Sequence, residues 1–455
     1  MSVFEILGDL PGILQAVVPD QFATVLQILT FFGLLPKILY EFLRLRKQLR
    51  GVVTDPEAVW KRQPHWDRVD KYKKQIKNTI PVLSLVNAKG GVGKSMICSN
   101  LAAYFDQLGL RVLLVDLGHN ATLTEMVPIA NRDNKDGSFY FSALELLNGR
   151  QKYRPPEKLS GSFQRSWIYP ASHDLKKADH ELALSWLTGA RARKGRSAFR
   201  LLLARMAFWK KKRDIRFHVH DFLSQPEVQN SFDLVLIDTT NEQSAALANA
   251  LCASTHVLVP TVLDMSTTPT TVNSLKNMRD FRLSLLLNYA FMGVVPSQVS
   301  QVMNAANQFT PREEQAFGDL KARIDIKFDK MMRPGTVERE KLGVLRDQYI
   351  CNRVALRHQP GDDLIIFSDQ RINVMFLELG DVISDRFERD NMIYRARLIS
   401  ASPGRVSASA ANTPPLAQQA PVSAADVPAQ AQPAFPLAQE GTRATQKPEQ
   451  IKKVG

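Results

Sequence analysis

The chain is poor in cysteine, has no apolar run long enough to span a membrane and, over one basic stretch, has no acid. Its 455 residues include three cysteines, Cys98, Cys252 and Cys351. They lie far apart with no ligand spacing. That excludes a disulfide framework or a cysteine zinc site and makes a reducing cytosol the expected setting. The most membrane-like segment, residues 22–35, falls short of the roughly 20 residues a span needs. Thr24, Gln27 and Thr30 interrupt it at helical spacing, so it reads as amphipathic. Glu5 and Asp9 stand before the first apolar run, where a secretory signal would carry positive charge. No internal repeat is visible.

What the chain does have is apolar mass and positive charge. Hydrophobic residues make up 44% of it, enough for a large core, and the formal net charge is +14. A basic balance favours anionic partners, either nucleic acid or an acidic membrane surface. Three regions follow from the pattern. Residues 1–78 read as an N-terminal helical region, amphipathic over 22–50, with Pro36 as a break and a basic cluster at Arg44, Arg46, Lys47 and Arg50. Residues 79–400 read as an α/β domain. Residues 401–455 are rich in Ala, Pro, Gln and Ser and lack the apolar density to offset ordering, so a disordered C-terminal tail is predicted.

Within 79–400, "PVLSLVN" (81–87) is a short apolar run before glycines, hence a buried strand. "SMICSNLAAYFDQLG" (95–109) is helix-like, with Gly109 as its stop. "RVLLVD" (111–116) is again strand-like, and strand–helix–strand in this span is a βαβ unit with parallel strands. "FDLVLID" (232–238), "HVLVP" (256–260) and "FMGVVP" (291–296) read as further strands, and 310–350 as helical.

Between the first strand and helix lies "VNAKGGVGKS" (86–95). Glycines there permit backbone conformations closed to other residues, so N–H groups can point inward and cradle phosphate oxygens. The helix N-terminus adds positive potential. Lys94 is placed to reach terminal phosphates, and the Ser95 hydroxyl suits Mg²⁺. Asp238, at the end of a buried strand, can hold a water on the same ion.

"KGGVGKS" (89–95) resembles the deviant Walker A motif of the ParA/MinD family of ATPases, K-G-G-x-G-K-[ST], at every fixed position. Further segments resemble family motifs in family order. They are "RVLLVDLGHNATLT" (111–124), "WIYPASHDLKKADHELAL" (167–184), "FDLVLIDTT" (232–240), "NALCASTHVLVPT" (249–261), "FMGVVPSQV" (291–299) and "ICNRVALRHQ" (350–359). The resemblance covers about residues 80–370. It implies a doubly wound, mostly parallel sheet with a P-loop NTPase core. It implies ATP and Mg²⁺ as cofactors, held by Lys89, Gly90, Gly91, Val92, Gly93, Lys94, Ser95 and Met96, with Ser95 and Asp238 at the metal. It gives Lys89 and Asp116 catalytic roles, Lys89 by reaching the partner's nucleotide in an ATP-bound homodimer. The cation would stabilise phosphate charge as an arginine finger does.

One position departs from the family. The second motif usually reads V-D-x-D-P-Q, and Gly118 replaces the second aspartate, with His119-Asn120 in place of Pro-Gln. In the family that aspartate is associated with activating the attacking water. Glycine cannot orient water, so hydrolysis is expected to be slow and stimulated by a protein partner. Either His119 or Asn120 substitutes by hydrogen-bonding the water, or the chain acts as a hydrolysis-deficient, nucleotide-bound scaffold.

Family ATP-dimers commonly bind DNA without sequence preference. The basic helical stretch 191–216 lacks an acid until Asp214, and Arg191, Arg193, Lys194, Arg196, Arg200, Arg205, Lys210, Lys211, Lys212 and Arg213 supply such a footprint. The expectation is a cytoplasmic, nucleoid-associated switch for DNA segregation or cargo positioning. A MinD-like switch, peripheral at the membrane through residues 22–50, is the alternative; otherwise residues 1–78 form a helical cap or dimerisation unit packed on the core. Iron–sulfur reductases with a similar loop need interfacial cysteines, and bacterial tyrosine kinases need a tyrosine-rich tail. The cysteines lack the first setting, and none of the C-terminal 50 residues is tyrosine.

Overall fold

A computed structural model describes residues 60–76, 79–130, 141–150, 152–172, 174–188, 214–300, 309–329, 345, 350–351, 364 and 370–389. The amphipathic segment 22–50, the basic stretch through Arg213 and the tail from 401 lie outside the described residues.

The strands are β1 (Val82–Leu85), β2 (Val112–Leu117), β3 (Glu157–Lys158), β4 (Ser166–Tyr169), β5 (Leu234–Thr239), β6 (His256–Val262), β7 (Ala290–Val299) and β8 (Ile350–Cys351). They form one eight-stranded sheet in the order β3-β4-β2-β5-β1-β6-β7-β8. All neighbours are parallel except the β3–β4 pair. β1 and β2 read as near-continuous apolar runs, interrupted by Ser84 and Asp116, because both faces of a parallel sheet are covered. The alternation is still there, hidden in which layer each residue enters. Val112 and Leu114 of β2 and Leu234 and Leu236 of β5 join one buried cluster. Leu113, Val115, Val235 and Ile237 join the cluster on the opposite face.

The first face is covered by α2 (Lys94–Gln107), through Ile97, Leu101 and Phe105, and by α11 (Gln370–Arg389), through Phe376, Ile383 and Phe387. Gly109, at φ +83°, turns the chain out of α2 towards β2. The second face carries α4 (Ala143–Leu147), α6 (His218–Leu223), α8 (Ala245–Ala253) and α9 (Thr268–Leu285). The described residues also include the short helices α3 (Thr122–Met126) and α7 (Pro226–Ser231), and the longer α5 (Leu175–Thr188) and α10 (Pro311–Asp329).

Part of the region read as N-terminal to the domain packs on this core. Helix α1 (Trp66–Ile76) buries Val69, Tyr72 and Ile76, spaced by three and four residues on one face. Tyr72 and Ile76 join the α8–α9 cluster, as does Trp60. Arg68 Nη1 donates to Asp221 Oδ1 at 2.6 Å, and the Asn288 N–H donates to the Tyr72 hydroxyl at 3.1 Å.

β1 lies mid-sheet, between β5 and β6. From β1 the chain goes through α2 to β2 on one side, and later crosses from β5 to β6 on the other. The crevice at the carboxyl ends of β1, β2 and β5 is thus a topological switch point, where open α/β sheets hold ligands.

Candidate functional site

The loop between β1 and α2 enters this crevice. Gly91 and Gly93 have φ of +72° and +80°, a region that L side chains rarely adopt. Gly93 is the N-cap of α2, and no side chain caps that helix end. The first turn of α2 carries no acid either. Its N-terminal N–H groups therefore keep their attraction for an anion. From the far side, Ser297 Oγ donates to Val92 O at 2.8 Å and the Gln298 carboxamide donates to Gly91 O.

Lys94 is buried. Its Nζ donates to Asn87 O at 3.2 Å and to Lys89 O at 3.3 Å, folding the side chain over the loop. Burial pushes its pKa down, and the nearby Asp238 opposes that. Ser95 Oγ donates to Asp238 Oδ2 at 2.5 Å.

Strand parity explains why the two aspartates meet here. Asp116 continues the Val112, Leu114 series and Asp238 the Leu234, Leu236 series, and the two are register partners across β2 and β5. Both carboxylates therefore face α2, under Ser95. Burial, then the Asp116 charge, pushes Asp238 up to about 7. Asp116 is pushed up by burial, against bonds from Thr124 and Gly118. Its Oδ2 accepts from Thr124 N at 2.8 Å and Thr124 Oγ1 at 2.7 Å, and its Oδ1 accepts from Gly118 N at 2.8 Å. Asp238 Oδ1 is buried without a hydrogen-bond partner among the described residues.

An unpaired buried carboxylate oxygen beside a serine hydroxyl costs free energy unless a cation completes it. That donor set fits Mg²⁺, which takes one or two protein oxygens and fills its octahedron with phosphate and water. Among the described residues no group of three or more His, Cys, Asp or Glu could hold a metal ion by itself.

A cavity of about 660 Å³ opens over the loop. Gly90 through Met96 line one side, and Gly118, His119, Asn120, Asp238 through Glu242 and Gln298 line the other. The predicted residues Gly90, Gly91, Val92, Gly93, Lys94, Ser95, Met96 and Asp238 thus share one cavity. Lys89 and Asp116 are not on its wall. Asp116 lies behind Gly118 and is engaged by it, and Lys89 Nζ donates to Thr267 Oγ1 at 2.6 Å. His119 is committed at both ring nitrogens, to Asp179 and Thr240, so it is not free to hold a water as it stands. Asn120 is exposed at the rim.

Sequence patterns assigned no role to Asn87, Thr124, Thr267 or Gln298. Asn87 Nδ2 donates to Pro260 O at 2.8 Å, and its Oδ1 accepts from Lys89 N at 3.0 Å. Thr124 matches a fixed threonine of the second motif, which was the one available signal. Thr267 and Gln298 are brought in by distant parts of the chain, and Asn87 shows its role only through its contact with Pro260.

The model of the CobQ/CobB/MinD/ParA nucleotide binding domain matches residues 83–327. The chromosome-partitioning ATPase Soj of Thermus thermophilus is 28% identical over 238 residues, 52% of this chain and 77% of Soj. Among solved structures, the ATP complex of a single-residue variant of Cyanothece McdA is similar at TM-score 0.48 and 14% identity, over 67% of this chain and 97% of that one. pNOB8 ParA bound to nonspecific DNA is similar at TM-score 0.45 and 16% identity, over 68% and 99%. With the family model covering more than half of its length and the glycine loop, the buried lysine and the paired aspartates in place, this chain belongs to the CobQ/CobB/MinD/ParA nucleotide-binding family as a ParA-like P-loop protein.

Proposed function

We propose that the chain is a nucleotide switch that binds ATP with Mg²⁺ in this cavity, dimerises around it and then binds DNA without sequence preference. The observation that carries the reading is the pairing of Ser95 with Asp238, whose second oxygen is buried and unpaired beneath an uncapped helix N-terminus. The loop N–H groups and Lys94 would hold the phosphates; Ser95 and Asp238 would hold the ion, directly or through water. Lys89 supports dimerisation, because its side chain leaves its own cavity and bonds Thr267 at the start of α9. A cation so placed is available to a second copy's triphosphate.

DNA binding rests on the basic residues of 191–213 and on the relationship to Soj, which is named a chromosome-partitioning ATPase. Phosphate contacts make such binding steeply salt-dependent. The test is DNA affinity across a salt series with ATP, ADP and no nucleotide. Tighter, salt-sensitive binding with ATP supports the reading; equal affinity in all three states contradicts it.

A second reading, a nucleotide-bound scaffold that does not turn over, is favoured by the loop after β2. Gly118 offers only backbone groups, and both are used: its N–H on Asp116 and its carbonyl on the Ala121 N–H at 3.2 Å. Slow, partner-stimulated hydrolysis is the preferred reading, and fast hydrolysis by the isolated protein would contradict both. No helix among the described residues is long and apolar enough to cross a membrane.

A further inference from the structure

One imidazole fastens two walls of the cavity to the body of α5, a helix that reaches the cavity itself through Lys176. His119, in the loop after β2, places Nε2 3.0 Å from Asp179 Oδ2 on α5. Its Nδ1 lies 3.3 Å from Thr240 Oγ1, in the loop after β5, and 3.6 Å from Glu242 Oε2. The His119 side chain is 5% exposed and that of Asp179 1%. Asp179 uses its other oxygen on the start of α8, accepting the Ala246 N–H at 2.9 Å. A second, exposed tie runs parallel: Lys176 Nζ of α5 reaches Glu242 Oε1 at 3.2 Å.

The family pattern places proline where His119 stands, and a proline ring has no polar atom to make this link. The link is therefore a property of this chain's own sequence. His119, Thr240 and Glu242 all line the cavity, whereas Asp179 does not. α5 is described as far as Thr188, and the sequence then continues into the basic stretch 191–213.

We propose that His119 is a positioning residue that couples occupancy of the cavity to α5 through Asp179. The inference rests on the nucleotide-switch reading above. A buried ring held between a carboxylate and a hydroxyl has few alternative partners, so breaking its bonds is costly. A ligand that shifts residues 118–120 or 240–242 must then move α5 with them or break the bond to Asp179. Coupling of this kind is a free energy shared between the cavity and the helix that leads into the basic stretch.

Hydrogen–deuterium exchange of the full chain, with and without ATP–Mg²⁺, reads both ends of the link. In the wild type, ATP slows exchange at residues 89–96 and changes it at 175–188. Asp179→Ala removes both carboxylate oxygens and with them the bond to His119. In it, ATP affinity stays within about twofold and protection of 89–96 persists, while the ATP-dependent change at 175–188 falls about fivefold or more. Asp179→Leu gives the same pattern and serves if the first variant does not fold. A bond that merely braces the fold would raise exchange in α5 equally with and without nucleotide, leaving the ATP-dependent difference intact; that result overturns the proposal. Wild-type protection at 89–96 with no change at 175–188 overturns it while leaving nucleotide binding standing. No protection at 89–96 removes the nucleotide reading and this inference together.

Discussion

Two loops meet over the same cavity, and they have diverged differently. The loop after β1 keeps each fixed residue of its motif, and each does something physical there. Gly91 and Gly93 supply left-handed backbone, Lys94 a buried ammonium, and Ser95 a hydroxyl on Asp238. The loop after β2 keeps Asp116, which is walled in by Thr124 and Gly118, but replaces the next three motif residues with Gly118, His119 and Asn120. On the function proposed above, holding a nucleotide and cleaving it would be carried by separate segments, so one could be preserved while the other changes.

The largest expected effect lies in the preserved loop. Lys94→Ala should weaken ATP binding at least about 100-fold, roughly 3 kcal/mol, by removing a charged donor from a low-dielectric site. Isothermal titration checks this, and unchanged affinity would break the comparison at its stronger end. Asp238→Asn should leave binding measurable but cut the gain in affinity from added Mg²⁺ by about tenfold or more. The same gain in the variant would place the ion elsewhere.

The altered loop is sharpened by Gly118→Asp. A Cβ at this position would sit 3.0 Å from Asp116 Oδ1 and 3.8 Å from Asp238 Oδ2. The new carboxylate therefore joins two others, at a cost of about 1 kcal/mol in stability. If slow turnover stems from the missing group, the rate should still rise about tenfold or more. A rate that stays flat in a folded, ATP-binding variant favours the scaffold reading.

The smallest effect is a control outside both loops. His220 of α6 packs against Tyr72 at 4.9 Å between ring centroids, and its Nε2 is buried without a partner among the described residues. Burial pushes its pKa down to about 3, with Arg68 and Lys71 adding to the shift and Asp221 opposing it. The unfolded chain then binds the extra proton between about 6.5 and 3, so the stability held by the neutral ring is complete above that window and lost as pH falls through it. His220→Phe should reduce the drop in Tm between pH 7 and 4 by a few degrees without altering ATP affinity at pH 7. An unchanged drop would mean other groups dominate acid unfolding.

Much of the molecule is legible in the sequence, for identifiable reasons. The βαβ unit and the strands β5, β6 and β7 announce themselves because buried parallel strands must be short and apolar. The glycine loop is legible because its backbone forbids substitutes. β3 and β8 are two residues each, too short for any periodicity, and exist only as edge pairings with β4 and β7. That the N-terminal region packs on the core is an expectation of its helical pattern, but which residues of α1 make the contact is obscured by Lys71, Lys73 and Lys74, which stay exposed while Tyr72 and Ile76 between and beyond them are buried. The His119–Asp179 bond joins positions 60 residues apart and has no local signature. Lys89 could be recognised from its motif, but its bond to Thr267 needed α9 to be folded against the loop.

The central claim is that nucleotide joins two chains through Lys89. Sedimentation velocity of the full chain with ATP and Mg²⁺ tests it most directly. The expected result is a dimer for the wild type, a monomer without nucleotide, and a monomer for Lys89→Ala under saturating ATP. A wild type that stays monomeric in ATP, or a Lys89→Ala variant that dimerises equally well, would contradict it.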